Sequence, residues 1–377
     1  MASMADKYKC AVLGTGGRGG GWVSKMNAHE KCDVVAVNDI NKTRLKKFKE
    51  EYNVNTYTDY HELLDNEDLD FCIIASPHYL HAPMTVAAAN HDVHVFCEKP
   101  MAINLQQCDE MIIATRVNDV KLAIGFQHHY SPTLEYLKLA VEGAEGELGS
   151  LGRITDVIMT GRHYRSEMYY LGSTQVDPGT GVPAGQWRGR WKTEGAGILI
   201  NQAVHNIDAF QYVCGPIRSV QAYAKTISKE HKFIEVEDTV VATCELENGG
   251  FGNMIMTSSN KKSDKNSITI HGTNGYIRAE GGFCANFVTA DTRYESEEDY
   301  EIPFHMDPNW NQVDNFLIAI EKDKEPFVNG EEARKSIELI RAILKSEQTA
   351  QRVQLPLADS VSSPTINNVN RRQTPEY

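Results

Sequence analysis

The chain predicts an α/β protein in which an N-terminal doubly wound domain is joined to an α+β domain with a mostly antiparallel sheet. Three observations carry this. Short apolar runs alternate with amphipathic helical stretches over the first third of the chain. A glycine-rich turn directly follows the first of these runs. Beyond residue 150, strand-like segments succeed one another with hairpin-type turns between them.

In the first third, Cys10–Leu13, Val34–Val37, Phe71–Ala75, His94–Cys97 and Leu122–Phe126 are short and rich in Val, Ile, Phe and Ala, as buried parallel strands are. Helical patterns over Lys42–Glu51, Met84–Asn90 and Leu105–Val117 separate them. The expected domain spans residues 7–129. A helix from Ser131 to Glu142 then leads through a Gly-rich stretch into strands at Ile154–Met159, Val220–Thr226, Thr239–Leu246, Gly252–Thr257 and Ser267–His271. Late helices are expected at Asn309–Ile320 and Glu331–Gln348, giving a second domain over residues 130–357. The tail, residues 358–377, is rich in Ser, Asn, Thr and Pro and reads as partly disordered.

Gly14-Thr15-Gly16-Gly17-Arg18-Gly19 places G-x-G-x-x-G between the first strand and a helical stretch holding Trp22, Val23 and Met26. Gly14 permits the tight turn, Gly16 lets a pyrophosphate approach the backbone, and Gly19 lets helix and strand touch. The free N–H groups of the helix start then hold the phosphates. Asp39 ends the second strand 25 residues past Gly14, where an acid accepts from the ribose hydroxyls and repels a 2′-phosphate. NAD is therefore expected over NADP. The competing reading of Asp39 is a cap of the helix that follows, with Lys42 and Arg44 close enough to offset its charge.

The chain has 377 residues, 41% hydrophobic and 24% charged, enough for two globular domains. A formal net charge of −13 disfavours binding to nucleic acid or to an anionic membrane. Eight scattered cysteines without a CxxC pair read as buried free thiols of a reducing compartment. With no apolar h-region near Met1 and no run of about 20 apolar residues, a cytoplasmic location is expected.

Two further segments carry chemistry. Glu98-Lys99-Pro100 follows the strand His94–Cys97, so Lys99 stands at the carboxyl end of the sheet where ligands bind, although a lone lysine is ordinarily a solvated charge. In Gly195–Asp208, residues Asn201, His205 and Asp208 recur at i, i+4 and i+7 and would share one face of a single helix. That face reads either as ordinary polar surface or as a histidine acid/base with oriented neighbours. No metal is expected, because His205 and Asp208 lack a third strong ligand nearby.

The combination of GTGGRG, Asp39, SPHYLHAPMTVAAANHDVHVFCEKP and GAGILINQAVHNID closely resembles the Gfo/Idh/MocA family, the glucose–fructose oxidoreductase and inositol dehydrogenase relatives. The resemblance runs over nearly the whole chain. It implies an N-terminal Rossmann domain, a C-terminal domain with a large, mostly antiparallel open sheet, and a substrate bound between the two, over the nicotinamide. It implies Lys99 and His205 as the catalytic pair. Along the cofactor, besides Gly14, Thr15, Gly16, Gly17, Arg18, Gly19 and Asp39, it implies Ser76, Pro77, His81, Glu98, Lys99 and Gln127, with Trp187 and Arg188 at the nicotinamide end. Asp208 matches an acidic position that hydrogen-bonds a substrate hydroxyl. Many members carry Asp-x-Gly-x-His where this chain has Asn201-Gln202-Ala203-Val204-His205, so no carboxylate is expected beside the histidine.

The reaction expected is hydride transfer between a secondary hydroxyl of a sugar, glycoside or polyol and the nicotinamide. His205 takes the hydroxyl proton while Lys99 binds the same oxygen and relays charge. Arg162, His163, Tyr164 and Arg165, at the end of the strand Ile154–Gly161, could reach substrate, with Arg162 and Tyr164 taken as the candidates; the segment reads equally as a polar strand edge. Two alternatives remain: an NAD-dependent glycosidase acting by transient oxidation, and a sugar- or cofactor-sensing regulator. By analogy with the family's open sheet, the chain is expected to form dimers or tetramers.

Overall fold

The structure, a computed structural model, describes residues 7–143, 151–171, 187–261, 266–281, 287–291, 298–301 and 311–358. The expected disordered tail and most of the Gly-rich stretch after Glu142 lie outside the described residues.

Six strands form the first sheet: β1 (Tyr8–Leu13), β2 (Cys32–Asn38), β3 (Asn55–Tyr57), β4 (Phe71–Ile74), β5 (His94–Cys97) and β6 (Leu122–Ile124). All pair in parallel, in the order β3-β2-β1-β4-β5-β6. The order reverses between β1 and β4, and the crevice outside their carboxyl ends is the natural ligand site of such a sheet. β3 escapes the sequence reading because its three residues carry no apolar run; it exists as an edge paired only to β2.

Nine strands form the second sheet: β7 (Ile154–Arg162), β8 (Ile217–Lys225), β9 (Thr239–Leu246), β10 (Phe251–Thr257), β11 (Ser267–Gly272), β12 (Gly275–Glu280), β13 (Phe287–Asp291), β14 (Glu298–Glu301) and β15 (Val353–Gln354). The order is β14-β13-β12-β11-β7-β10-β9-β8-β15, antiparallel throughout except for the parallel pair β7–β10. Helices Val204–Cys214 and Gly330–Thr349 bury one face, where Ile207, Phe210, Ile337 and Ile340 join Val220, Ala222, Val240 and Met254 in one core. The other face stays open and exposes Ile158, Tyr223, Val241 and Phe251.

The late helix Gln312–Glu321 returns to the first sheet instead. Its Phe316 ring lies 5.6 Å from that of Phe71 and 5.8 Å from that of Phe96, closing a second core with Trp22, Val23 and Met26. Residues 130–357 are thus contiguous in sequence but are shared between the two sheets in space. Cys10, Cys32, Cys72, Cys97, Cys108, Cys214 and Cys244 are buried free thiols, and Cys284 lies outside the described residues.

Candidate active site

The dinucleotide loop is built by contact. A Cβ on Gly14, whose φ is +89°, would meet the Ala75 backbone at 2.9 Å, and one on Gly19 would stand 1.8 Å from the Gly14 carbonyl oxygen. Only glycine lets β1, the loop and the helix Gly17–Asn27 close in this way. Above Gly16 and Gly17 a Cβ would touch nothing within 4 Å, so open space lies where a pyrophosphate must approach. The loop therefore fits a dinucleotide.

Asp39 is buried at the end of β2. Its Oδ2 accepts from the Thr15 N–H (2.9 Å) and hydroxyl (2.8 Å), its Oδ1 accepts from the Asn41 N–H (2.9 Å), and the Arg44 guanidinium donates to both oxygens at 3.1 and 3.0 Å. The helix Lys42–Tyr52 is capped not by Asp39 but by Asn41, whose side chain accepts from the Arg44 N–H. The Asp39 carboxylate is buried, while Arg44, which pairs with it, is partly exposed. Asp39→Ala releases it to meet a 2′-phosphate, and the loss of a charge-assisted acceptor costs roughly tenfold or more. The expected outcome is a fall of about 10-fold or more in the NAD+ over NADP+ ratio of affinities, read by titrating both nucleotides.

At the end of β5, Glu98 is buried and its Oε1 accepts from Arg18 Nε (2.6 Å) and Trp22 Nε1 (2.8 Å), tying the Glu-Lys-Pro turn to the dinucleotide helix. Lys99 donates from Nζ to the Asn201 carbonyl oxygen at 3.1 Å. Burial, with the Arg18, Arg165 and Arg188 cations adding to it and Glu98 opposing, holds its ammonium down to about 8. Its tip is enclosed by protein while the residue keeps some access to the crevice. Ser76 and Pro77 form the half-buried turn after β4. Next to them, fully buried His81 bridges the Pro100 (2.8 Å) and Ser76 (3.0 Å) carbonyls. Its ring nitrogens are thus spent on holding two turns together rather than on a cofactor. Gln127, at the turn after β6, has a buried Oε1 without a partner, an acceptor left for an incoming donor.

The expected single helix across Gly195–Asp208 is two. A helix over Ile198–Asn201 ends, and the next starts at Val204. Between them the Ala203 N–H donates to the Ile198 carbonyl (2.9 Å), five residues back, a π-type turn that inserts one residue. One residue shifts the helical phase by about 100°, so Asn201 leaves the face that His205 and Asp208 share at i and i+3 of the second helix. Asn201 sends its amide to Glu194 Oε1 (3.2 Å), and its Oδ1 is buried without a partner. Asp208 is fully committed elsewhere: Oδ2 contacts His129 Nε2 at 2.6 Å and Oδ1 accepts from Ser336 at 3.3 Å. It braces the second domain and is not placed to bind a substrate hydroxyl.

His205 sits among Phe126 (ring centroids 5.8 Å apart) and His128 (4.9 Å), and its Nδ1 is buried without a partner. Burial, then the neighbouring Lys99 charge, holds its pKa well below the ordinary histidine value, so the ring is neutral at pH 7. Lys99 and His205, separated by more than a hundred residues, are brought together as the sequence predicts.

Around this pair stand His128, which the sequence did not single out, and several groups that it did. His128 is pushed by burial down to about 4. Beyond β7, His163 and Arg165 couple electrostatically to Lys99, whereas the Tyr164 hydroxyl donates to Glu230 (3.0 Å) and the Arg162 N–H donates to Asn266 (2.6 Å). The period-two alternation of an extended segment explains this: residues 163 and 165 share a side that 162 and 164 do not. Trp187 and Arg188 are brought to the crevice wall. Trp187 stacks edge-on with buried His78 at 4.6 Å, and the Arg188 guanidinium lies 4.5 Å from the Trp187 ring.

Glu194 is the least legible member. It is fully buried, accepts from the Gly189 N–H (2.5 Å) and from Asn201, and is pushed up to about 8 by burial. A carboxyl therefore does lie behind Asn201, one hydrogen bond away from the position where many family members place an acid. The folded protein holds this proton between about 4.5 and about 8 while the unfolded chain releases it, so stability falls as pH rises across that window. Glu237, also buried and raised to about 7, acts in the same sense. Glu194→Gln should flatten the fall, narrowing the Tm difference between pH 5 and pH 8.5 without abolishing it.

Among the described residues no group of three or more His, Cys, Asp or Glu side chains is arranged to hold a metal, and no helix is long and apolar enough to cross a membrane.

Comparison with known proteins agrees with this geometry. The family model described as oxidoreductase family, NAD-binding Rossmann fold, matches residues 8–126, and the Gfo/Idh/MocA C-terminal domain matches residues 147–278. Myo-inositol 2-dehydrogenase of Thermotoga maritima is 25% identical over 354 residues, 92% of this chain and 98% of that protein. The WlbA dehydrogenase of Chromobacterium violaceum, solved with NADH and UDP-GlcNAcA, is 28% identical with a TM-score of 0.79, over 94% of this chain and 97% of that one. The WlbA dehydrogenase of Bordetella pertussis, also with NADH and UDP-GlcNAcA, is 25% identical with a TM-score of 0.78, over 93% and 99%. The chain belongs to the Gfo/Idh/MocA oxidoreductase family, and its N-terminal domain is that family's NAD-binding Rossmann fold.

Proposed function

We propose that the protein moves a hydride between a secondary hydroxyl of a sugar, glycoside or polyol and NAD, with Lys99 and His205 handling the proton. One observation carries the reading: the crevice of the NAD-binding sheet ends at a lysine and a histidine whose protonation both depart from the ordinary. The bound cofactor supplies the hydride acceptor at its nicotinamide. The relatives named above include a myo-inositol 2-dehydrogenase, which supports a polyhydroxy substrate.

The two pKa shifts divide the labour and reverse the roles expected from the sequence, making Lys99 rather than His205 the base. His205 is neutral and too weak a base to keep a proton, so it accepts a hydrogen bond from the reacting hydroxyl and orients it. Lys99, at about 8, is the stronger base once neutral and takes the proton as hydride leaves the carbon. Its remaining N–H donors bind the developing alkoxide in the same step. Thr15, Asp39, Glu98 and Gln127 hold the nucleotide and fix the turn that carries Lys99. Cytoplasmic location fits the buried free thiols, and self-association through the open face of the second sheet fits the exposed Ile158, Tyr223, Val241 and Phe251.

An absorbance screen at 340 nm tests the reading, with NAD+ and NADP+ against free sugars, glycosides, inositols and nucleotide sugars. NADH formation with at least one of them is expected. Cleavage of a glycoside without net NADH would point to the glycosidase route, and tight ligand binding without turnover across the panel to a sensor.

A further inference from the structure

Around Lys99 the crevice carries two guanidinium groups, Arg165 and Arg188, with which no carboxylate of the described residues forms an ion pair. Among those residues, Arg165 donates from Nη1 only to the Tyr164 carbonyl (2.9 Å). Arg165 and Arg188 both lie over the Tyr169 ring, their guanidinium carbons 5.0 and 4.7 Å from its centroid. Each has a buried Nε without a hydrogen-bond partner, and so has the neighbouring His163 at Nε2. Two orphaned guanidinium donors at one place are uncommon in a folded protein and ask for an acceptor, while burial keeps the His163 ring beside them neutral. Both arginines are close enough to Lys99 to depress its ammonium, as Arg18 of the glycine loop also is, which places them in the crevice around Lys99.

The carboxyls nearby do not answer this charge. Glu98 is taken by Arg18 and Trp22, and Asp208 by His129 and Ser336. Glu194 is taken by Gly189 and Asn201 and is held as a neutral acid at pH 7.

Arg165 is also positioned with care. Its N–H donates to the Ser258 carbonyl (2.9 Å), and its carbonyl accepts from His231 Nε2 (2.7 Å). His231 is itself fixed by fully buried Asp238 at 2.9 Å. Burial opposes charge on His231, but these two bonds outweigh it and raise its pKa, so it donates from both nitrogens. A buried ion pair thus holds the main chain of one residue whose side chain has an unused donor.

We infer that the substrate is an acidic sugar or sugar acid, whose carboxylate is held by Arg165 with Arg188 and His163 beside it while Lys99 and His205 act on a neighbouring hydroxyl. The inference rests on the hydride-transfer reading and narrows its substrate class. Guanidinium is the donor group suited to a planar carboxylate, and a neutral sugar would leave the orphaned donors unmet.

The test is calorimetric titration of the NAD-loaded protein with D-glucuronate, D-galacturonate and D-gluconate, each against its neutral counterpart D-glucose, D-galactose or D-glucitol. At least one acid should bind at least ~10-fold tighter than its counterpart, with the preference shrinking as salt is added. Arg165→Gln should remove that preference and leave NAD affinity unchanged. If that variant fails to fold, Arg165→Lys should reduce the preference without removing it, since lysine keeps the charge but not the fork. The inference is overturned if no acid exceeds its neutral partner, or if the preference survives in Arg165→Gln. The 340 nm assay separates the two claims. Neutral sugars oxidised at least as well as acids overturn the acidic-substrate inference alone, whereas tight acid binding with no nicotinamide reduction across the panel overturns the hydride-transfer reading alone.

Discussion

Lys99→Ala lowers kcat for the preferred substrate by at least ~10²-fold with NAD affinity largely retained, and His205→Ala does the same. The expectation follows from where the groups stand. Neither residue builds the glycine loop or touches Asp39, so the cofactor loses little when either is cut back. Both face the oxygen whose proton must leave. The pH profile distinguishes their roles. Lys99 accepts the proton only when neutral, so kcat/KM for oxidation rises about tenfold per pH unit below about 8 and levels above it. His205 stays neutral throughout that range and adds no inflection. In Lys99→Ala the rise centred near 8 disappears, which loss of structure alone does not produce. Near-normal turnover in either variant removes that residue from the mechanism.

Gly19→Ala weakens NAD binding roughly 10- to 100-fold, because several phosphate-binding N–H groups lose their aim at about 1 kcal/mol each. The new Cβ would lie 1.8 Å from the Gly14 carbonyl oxygen and 3.3 Å from the Ala75 side chain, so the helix start must move away from β1. Backbone cannot yield as a flexible side chain does, and the melting temperature falls too. Gly16→Ala is the contrasting case. Its Cβ meets nothing within 4 Å in the protein, so stability is unchanged while the methyl intrudes on the pyrophosphate. Nucleotide titration beside thermal melting of the two variants checks this. Equal melting temperatures for Gly19→Ala and the parent would contradict the packing role.

Sequence alone carried the doubly wound sheet because buried parallel strands are short apolar runs and the glycine loop sits at a fixed place after the first. It carried Lys99 because the end of a parallel strand is where such sheets bind ligands. It did not carry β3, whose three polar-flanked residues depend on the neighbouring β2 edge. The substrate role that the resemblance implies for Asp208 does not fit, because His129 and Ser336 take its carboxylate, and one inserted residue at Ala203 breaks the regular period between Asn201 and His205. The end of β7 is legible as a candidate segment, but which of Arg162, His163, Tyr164 and Arg165 turn to the site is not: the Tyr164 hydroxyl goes to Glu230, whereas His163 and Arg165 couple to Lys99. Glu194 was invisible. Only the fold brings a charged residue from a surface-like sequence, Trp191-Lys192-Thr193-Glu194, into full burial behind Asn201. The return of Gln312–Glu321 to the first sheet was equally unreadable, because an amphipathic period shows that a face is covered but not by what.

The central claim is hydride transfer from a substrate carbon to the nicotinamide under the control of Lys99 and His205. Its most direct test is isotopic. The substrate giving the largest 340 nm signal is prepared with deuterium at its carbinol carbons, and the NADH formed is isolated and weighed by mass spectrometry. The account predicts one deuterium per NADH, at C4 of the nicotinamide, with the rate of its appearance cut at least ~10²-fold in Lys99→Ala. NADH formed without deuterium, or labelled as fast in Lys99→Ala as in the parent, would contradict it.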